Sequence, residues 1–250
     1  MTFQSIDNYQ PAPDVLKDRI LLVTGAGDGI GKTAAKTFAQ FGATVILLGK
    51  TIPKLEAVYD AIVDAGHPQP AIIPLDLESA TYDEYLDVAD NIEKEFGRLD
   101  GLLHNAGLLG ALTPVQQYDL TLWAQVLQVN LTAPFLLTRA LIPVLKKSTD
   151  ARILFTSSSV AHQGRAYWGA YGVSKAGQDN LMEILADELE NNTAIRVNSI
   201  DPGRVRTRMR ALAYPGEDPN SLPSPDTIMP SYVFLMGPDS KDTHGQIIHV

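Results

Sequence analysis

Tyr171 and Lys175 stand four residues apart as Tyr-x-x-x-Lys, a spacing that on a helix puts both side chains on one face. An ammonium beside a phenol favours the phenolate and lowers a pKa that is otherwise ~10, giving a proton donor and acceptor usable near neutral pH. The same pattern also arises as an accidental surface pair. Upstream, residues 24–31 read TGAGDGIG, so that Gly25, Gly27, Asp28, Gly29, Ile30 and Gly31 follow a threonine. A glycine-rich turn between a strand and a helix lets backbone approach a pyrophosphate, and the helix N-terminus presents its N–H groups to that charge. Glycines at such a turn can equally be structural only.

Other constellations carry less. His67, His104, His162, His244 and His249 show no metal-ligand spacing, which makes each a polar core or surface residue. Residues 172–176, GVSKA, nearly match the Gly-x-Ser-x-Gly elbow of serine hydrolases, but they lie within an expected helix instead of at a strand-to-helix turn. Residues 203–210, GRVRTRMR, place arginines at every second position. These are either solvated charges of a lid or contacts to an anionic substrate or cofactor phosphates.

The elements that must position these residues are legible from the hydrophobic pattern. From Arg19 onward, short apolar runs alternate with segments of helical period, the signature of a parallel sheet covered by helices on both faces. The runs are Ile20 to Val23, Thr44 to Leu48, Ala71 to Pro74, Leu99 to Leu103, Arg152 to Phe155, Ile195 to Ile200 and Gln246 to His249, which predicts seven strands. Tyr82, Tyr85, Ala89, Ile92 and Phe96 recur at helical spacing behind the capping box Thr81-x-x-Glu84 and ahead of Gly97. A helix is also expected after Thr51, with Pro53 in its first turn, Leu55, Val58, Ile62 and Ala65 on one face and Gly66 as its stop. Two longer helical segments run from Tyr118 to Lys146, broken or bent near Pro134, and from Gly169 to Glu190. Between Ala213 and Pro225 four prolines interrupt the alternation, and we read about 207–226 as a mobile lid. The whole chain, 1–250, is thus expected to be a single domain with residues 1–18 as an N-terminal extension.

With these elements in place, the chain resembles the short-chain dehydrogenase/reductase family, in its single-domain branch, from Arg19 to the end. TGAGDGIG corresponds to the family's cofactor fingerprint, and Asn105-Ala106-Gly107 follows the fourth predicted strand as the family's Asn-Ala-Gly element does. Asn130 stands in Val129-Asn130-Leu131, and Ser158 lies 13 positions before Tyr171, as the family's catalytic serine does. Pro202-Gly203, with Val205 and Thr207 beyond, matches the segment that holds the nicotinamide carboxamide. The resemblance implies an α/β fold, a Rossmann-type doubly wound seven-stranded parallel sheet in three α/β/α layers. It further implies that Ser158 hydrogen-bonds a substrate carbonyl, Tyr171 delivers its proton, Lys175 holds the nicotinamide ribose, and Asn130 anchors a water that relays protons. A homodimer or homotetramer packed through the two long helices, and a small-molecule carbonyl or alcohol substrate, follow from the same resemblance. The alternative is a non-catalytic NADP(H)-binding regulator or interaction protein on the same fold.

Cofactor choice turns on the end of the second predicted strand. Where NAD-preferring relatives carry an aspartate for the adenosine ribose, this chain has Gly49, followed by Lys50. Glycine leaves room for a 2′-phosphate and lysine supplies countercharge, so NADP(H) is favoured over NAD(H). Lys50 as a solvated helix-entry residue is the competing reading, and Asp28 stands close enough to oppose a phosphate. Asp76-Leu77 resembles the pair that borders the adenine. The chain departs from the commonest family pattern at His104, at Gly27, at Asp201 before Pro202-Gly203, and past Val250, where an aspartate and glycines commonly follow.

Composition bounds the remainder. With 250 residues, 20 Lys+Arg against 29 Asp+Glu and a net charge of −9, a general nucleic-acid binder, which needs a basic face, is not expected. No cysteine is present, which excludes disulfides, thiolate zinc sites and a cysteine nucleophile. No run approaches the ~18 uninterrupted apolar residues of a membrane span, and no secretory or lipidation signal is legible, so a cytoplasmic protein without membrane attachment is expected.

Overall fold

A computed structural model describes residues 3–6 and 9–250, with the backbone alone described at 3–5. Of the expected N-terminal extension, residues 1, 2, 7 and 8 lie outside the described residues. In chain order the strands are β1 (Phe3–Ser5), β2 (Ile20–Thr24), β3 (Thr44–Gly49), β4 (Ala71–Pro74), β5 (Gly101–His104), β6 (Arg152–Thr156), β7 (Arg196–Asp201) and β8 (Ile247–His249). The last seven are the strands predicted. β1, inside the N-terminal extension, adds an eighth at the edge by pairing with β8, and its three residues are too few to give an alternation signal.

All pairs are parallel, in the order β1-β8-β7-β6-β5-β2-β3-β4. Strand residues alternate between two cores, as a period of two requires. Leu22, Ile46, Leu48, Leu102, Ile153, Phe155 and Val197 face one side, and Leu21, Val23, Val45, Leu47, Leu103, Leu154 and Ile200 the other. After β4 the chain crosses to the far side of β2, so the β2–β5 gap is the topological switch point, where ligands bind in open α/β sheets.

The helices are α1 (Gly29–Gln40), α2 (Ile52–Asp64), α3 (Tyr82–Phe96), α4 (Leu120–Leu127), α5 (Ala133–Leu145), α6 (Ser159–His162), α7 (Gly169–Glu190), α8 (Arg208–Ala213) and α9 (Met229–Met236). α3 forms as its sequence dictates: Thr81 and Glu84 close the capping box, and Gly97 ends the helix at φ 75°. In α2, Leu55, Val58 and Ile62 are buried as expected, while Ala65 caps the helix and is exposed. The helix expected from Tyr118 is broken just before Pro134, at a π turn over Gln128–Thr132, where the Ala133 N–H reaches back to the Gln128 carbonyl. Pro134 has no N–H to offer the carbonyl of Asn130 four residues earlier, so the ladder slips by one residue there. By length and mean hydropathy the segment Leu120–Leu145 would suit a membrane span; here it is two helices, of which α5 buries Leu137, Leu141, Val144 and Leu145.

Candidate active site

The site gathers at the carboxyl ends of β2, β5, β6 and β7. Thr24 ends β2, and its Oγ1 accepts from the N–H groups of Asn105 (3.0 Å) and Ala106 (3.1 Å) while donating to the Leu103 carbonyl (3.2 Å). This hydroxyl welds the fingerprint turn to Asn105-Ala106-Gly107. Gly25 has φ +67°, and a Cβ there would stand 2.9 Å from the Ala106 Cα. At Gly31 a Cβ would meet the Gly25 carbonyl oxygen at 2.4 Å. Only glycine lets the turn fold this closely beneath the N-terminus of α1, the cradle that a pyrophosphate fits. Asp28 caps that helix, its Oδ1 accepting from Gly29 N at 2.8 Å and its Oδ2 lying 2.6 Å from Lys54 Nζ. The hydrogen bond from Lys54 holds the Asp28 carboxyl below its ordinary pKa, so Asp28 stays an anion, and the paired Lys54 ammonium is what offsets its objection to a phosphate. Ile30 packs its side chain on the core beneath.

At the end of β3, Gly49 leads to Lys50, whose Nζ lies 3.5 Å from Asp76 and 3.8 Å from Glu78. Lys50, Thr51, Pro74, Leu75, Asp76, Ser79 and Glu84 line a cleft of about 460 Å³ at the carboxyl ends of β3 and β4. Leu77 is buried beside it. Lys54, four residues after Lys50, is a second ammonium near the turn that no motif in the sequence marks.

Asn130 sits in the π turn, wholly buried. Its Oδ1 accepts from Leu108 N (2.7 Å), and its Nδ2 donates to the Leu108 carbonyl and Ser174 Oγ (both 3.0 Å). The amide thus fixes the backbone just past Gly107 and ties it to α7. The side chain is committed, which leaves the backbone as the part of Asn130 able to anchor a water.

On α7, Tyr171 and Lys175 share one face, both buried, with Lys175 Nζ 5.9 Å from the Tyr171 ring centroid. The Lys175 ammonium donates to the Thr156 carbonyl (2.6 Å) and to Gln178 Oε1 (3.0 Å). Burial lowers its pKa to about 8, against the attraction of Asp179. Ser158, the N-cap residue of α6, faces the Tyr171 phenol closely enough to oppose the rise of its pKa. The sequence led us to expect a lowered tyrosine pKa. Instead burial pushes it up to about 12, with Asp201 adding to the rise and Ser158 opposing it. Desolvation of the phenolate outweighs an ammonium that is engaged elsewhere.

Asp201 ends β7, and its Oδ1 accepts from Gly203 N at 3.0 Å, shaping the turn Pro202-Gly203. Val205 is buried in the core. Thr207 caps α8 through Arg210 N, and its methyl would lie 3.7 Å from a Cβ on Gly29, which places it over the fingerprint. Because α8 begins here, the four arginines are split. Arg210 forms a bidentate pair with Glu217 (2.6 and 2.7 Å) and stacks over Tyr214 at 3.7 Å, so it serves the lid segment. Arg208 acts on Asp28. Met209 and Ala213 of the segment pack with Leu109, Val160 and Trp168 around Tyr171. Trp168 lies 5.8 Å from Tyr171 and 5.9 Å from Tyr214 between ring centroids. Among the described residues no group of acidic and histidine side chains could hold a metal ion.

Comparison with known proteins accords with this geometry. The family described as short chain dehydrogenase matches residues 19–218. An oxidoreductase of Escherichia coli K12, YciK, is 50% identical over 238 residues, covering 95% of this chain and 94% of its own. A short chain dehydrogenase structure from Pseudomonas syringae is 54% identical with TM-score 0.96, covering 98% of this chain and 99% of that one. Another, from Shigella flexneri 2a and solved in complex with NADP, is 48% identical with TM-score 0.93, covering 95% and 99%. The chain belongs to the short-chain dehydrogenase/reductase family of oxidoreductases.

Proposed function

We propose that this protein is an NADP(H)-dependent oxidoreductase that interconverts a carbonyl compound and its alcohol. The observation that carries the reading is the meeting of Ser158, Tyr171 and Lys175 beside the switch point, with Tyr171 and Lys175 buried on one face of α7 and Lys175 Nζ 5.9 Å from the Tyr171 ring centroid. NADP(H), when bound, supplies or accepts the hydride. Its pyrophosphate end fits the turn Gly25 to Gly31, and its carboxamide end Pro202, Gly203, Val205 and Thr207. Lys175 holds the nicotinamide ribose. Preference for NADP(H) rests on Gly49 in place of a carboxylate, on Lys50 beside it, whose 3.5 and 3.8 Å contacts to Asp76 and Glu78 are loose enough to give way to a phosphate, and on the relative solved with NADP.

Ser158 donates to the substrate carbonyl oxygen as negative charge grows there, and Tyr171 passes its proton to the same atom. A phenol held protonated by burial has its proton in place for the reduction direction. A water on the Asn130 backbone returns a proton through Lys175. Leu109, Val160, Trp168, Met209 and Ala213 give the substrate side an apolar lining, and Arg210, tied to Glu217, leaves no free charge for an anionic group at that position. The test is a panel of carbonyl compounds followed by NADPH consumption. Turnover of an uncharged ketone or aldehyde is expected; NADPH binding without turnover of any carbonyl would favour the regulatory binder instead.

A further inference from the structure

The face of α7 that carries Tyr171 and Lys175 does not end with them. One turn beyond Lys175 stands Asp179, only 3% exposed, a carboxylate for which the proposed reaction has no use. Ser157 Oγ donates to its Oδ2 at 2.5 Å, and His162 Nε2 lies 3.7 Å from the same oxygen. The three side chains spaced by four along α7 therefore face three consecutive residues at the end of β6, and two of them hold theirs by hydrogen bonds. Tyr171 meets Ser158, Lys175 holds the Thr156 carbonyl, and Asp179 holds Ser157. His162 closes α6, the short helix that Ser158 opens, so Asp179 is hydrogen-bonded to the residue before Ser158 and stands close to the residue that ends the helix after it.

We propose that Asp179 is a positioning residue for this site, fixing Ser158 through its flanks and serving as the buried countercharge of Lys175. The proposal rests on the reading of Ser158, Tyr171 and Lys175 given above. A carboxylate is a costly way to fill this space: burial raises the Asp179 carboxyl above its ordinary pKa, with Ser157, His162 and Lys175 opposing the rise. Asparagine would keep an acceptor for Ser157 in nearly the same shape without that cost. What only the carboxylate supplies is charge one turn along α7 from an ammonium that burial is discharging.

The groups facing the pair are few. Asp179 sees Ser157 from β6, Ser199 from β7, His162 from α6 and Lys175 from its own helix. Lys175 sees His104 from β5, Tyr171 and Gln178. His162 in turn meets the His249 ring of β8 at 5.6 Å, and His249 lies 3.5 Å from Asp201.

Two variants separate the two roles. Asp179→Asn removes charge and keeps the hydrogen bond; Ser157→Ala removes the hydrogen bond and keeps charge. NADPH affinity and kcat/KM are measured from about pH 6 to 10 for wild type, both variants and Asp179→Glu. Since Lys175 holds the ribose as an ammonium, both quantities fall as it deprotonates. In Asp179→Asn that fall moves to lower pH by on the order of one unit, while thermal stability at neutral pH stays at or above wild type. Asp179→Glu moves the limb back toward wild type. Ser157→Ala lowers kcat about 10-fold with the limb unmoved. An unmoved limb in Asp179→Asn together with wild-type kcat in Ser157→Ala overturns the proposal, as does a lowered stability in Asp179→Asn with no shift of the limb. If wild type reduces no carbonyl, the proposed function falls, and the pH dependence of NADPH binding still decides the link between Asp179 and Lys175.

Discussion

At the scale of single residues, the candidate chemistry uses one group in the state that burial favours, the Tyr171 phenol, and one in the state that burial opposes, the Lys175 ammonium. The Tyr171 phenol is kept protonated by desolvation, with its pKa near 12, so the proton it delivers is present throughout the physiological range. Tyr171→Phe removes that proton and little else, because the ring still packs with Val160, Trp168 and Met209. Turnover is expected to drop by at least ~100-fold with NADPH affinity unchanged, measured by steady-state kinetics beside a fluorescence titration. At the other end of the cofactor site, Gly49→Asp is expected to shift preference from NADPH toward NADH, because a carboxylate there repels the 2′-phosphate. The new Cβ would stand 3.3 Å from Leu55 Cδ2, close enough that α2 must give slightly. A small loss of thermal stability is therefore part of the expected outcome, and equal affinities for the two cofactors in wild type would remove its basis.

At the scale of elements, the π turn and the lid segment each have one residue that makes the connection. Asn130 pins the loop after β5 to α7 with three hydrogen bonds, all from a side chain with no exposure. Asn130→Ala leaves the Leu108 N–H and carbonyl without these partners, and a loss of about 2–4 kcal/mol in urea unfolding is expected. A cost below about 1 kcal/mol would mean that the loop finds other partners. On the lid segment, Arg210 is locked between Glu217 and Tyr214, and Tyr214 leans on Trp168 beside Tyr171. Glu217→Gln weakens the lock, and a several-fold rise in substrate KM with unchanged NADPH affinity is expected. An unchanged KM would make Arg210 a surface ornament of the segment.

At the scale of the whole molecule, what was legible in the sequence is what depends on local pattern. Seven strands followed from apolar runs, α3 from its capping box, and the helix bearing Tyr171 and Lys175 from its bounds at Gly169 and Glu190. What was not legible depends on which remote groups the sheet brings together. Nothing near Thr24 announces that its hydroxyl will bond residues 81 and 82 positions away, and nothing near Arg210 singles out Glu217 over bulk water as its partner. The tyrosine pKa failed for the same reason: spacing fixes which face a residue takes, whereas desolvation is a property of the assembled interior. Asp179 was within reach, since it continues the helical face of Lys175, but its value appears only beside Ser157 and His162.

The same interior makes stability depend on pH in a direction that can be worked out. His104, at the end of β5, stacks on Phe155 at 4.7 Å and shares a 2.7 Å hydrogen bond with Thr138. Burial, with the charge of Lys175 adding to it, lowers its pKa from 6.5 to about 3. Between those values the unfolded chain binds a proton that the folded chain refuses, so the contribution of neutral His104 is lost progressively as pH falls from 6.5 toward 3. Lys175 works in the opposite window. Its folded pKa of about 8 lies below the 10.5 of an unperturbed lysine, so between about 8 and 10.5 the unfolded chain again binds more protons, and stability from this group rises with pH. His104→Asn replaces the titrating ring with a group of fixed charge that can still bond Thr138. Urea midpoints at about pH 7.5 and pH 4.5 are expected to show wild type losing ground to the variant on acidification, by up to about 1.4 kcal/mol for each pH unit below 6.5. The variant starts behind wild type at neutral pH, because the ring stacked on Phe155 is lost and a smaller side chain leaves space in the core. A difference between the two that stays constant from neutral to acid would show that His104 takes up its proton in the folded protein, which the buried pairing with Thr138 and the nearby Lys175 ammonium oppose.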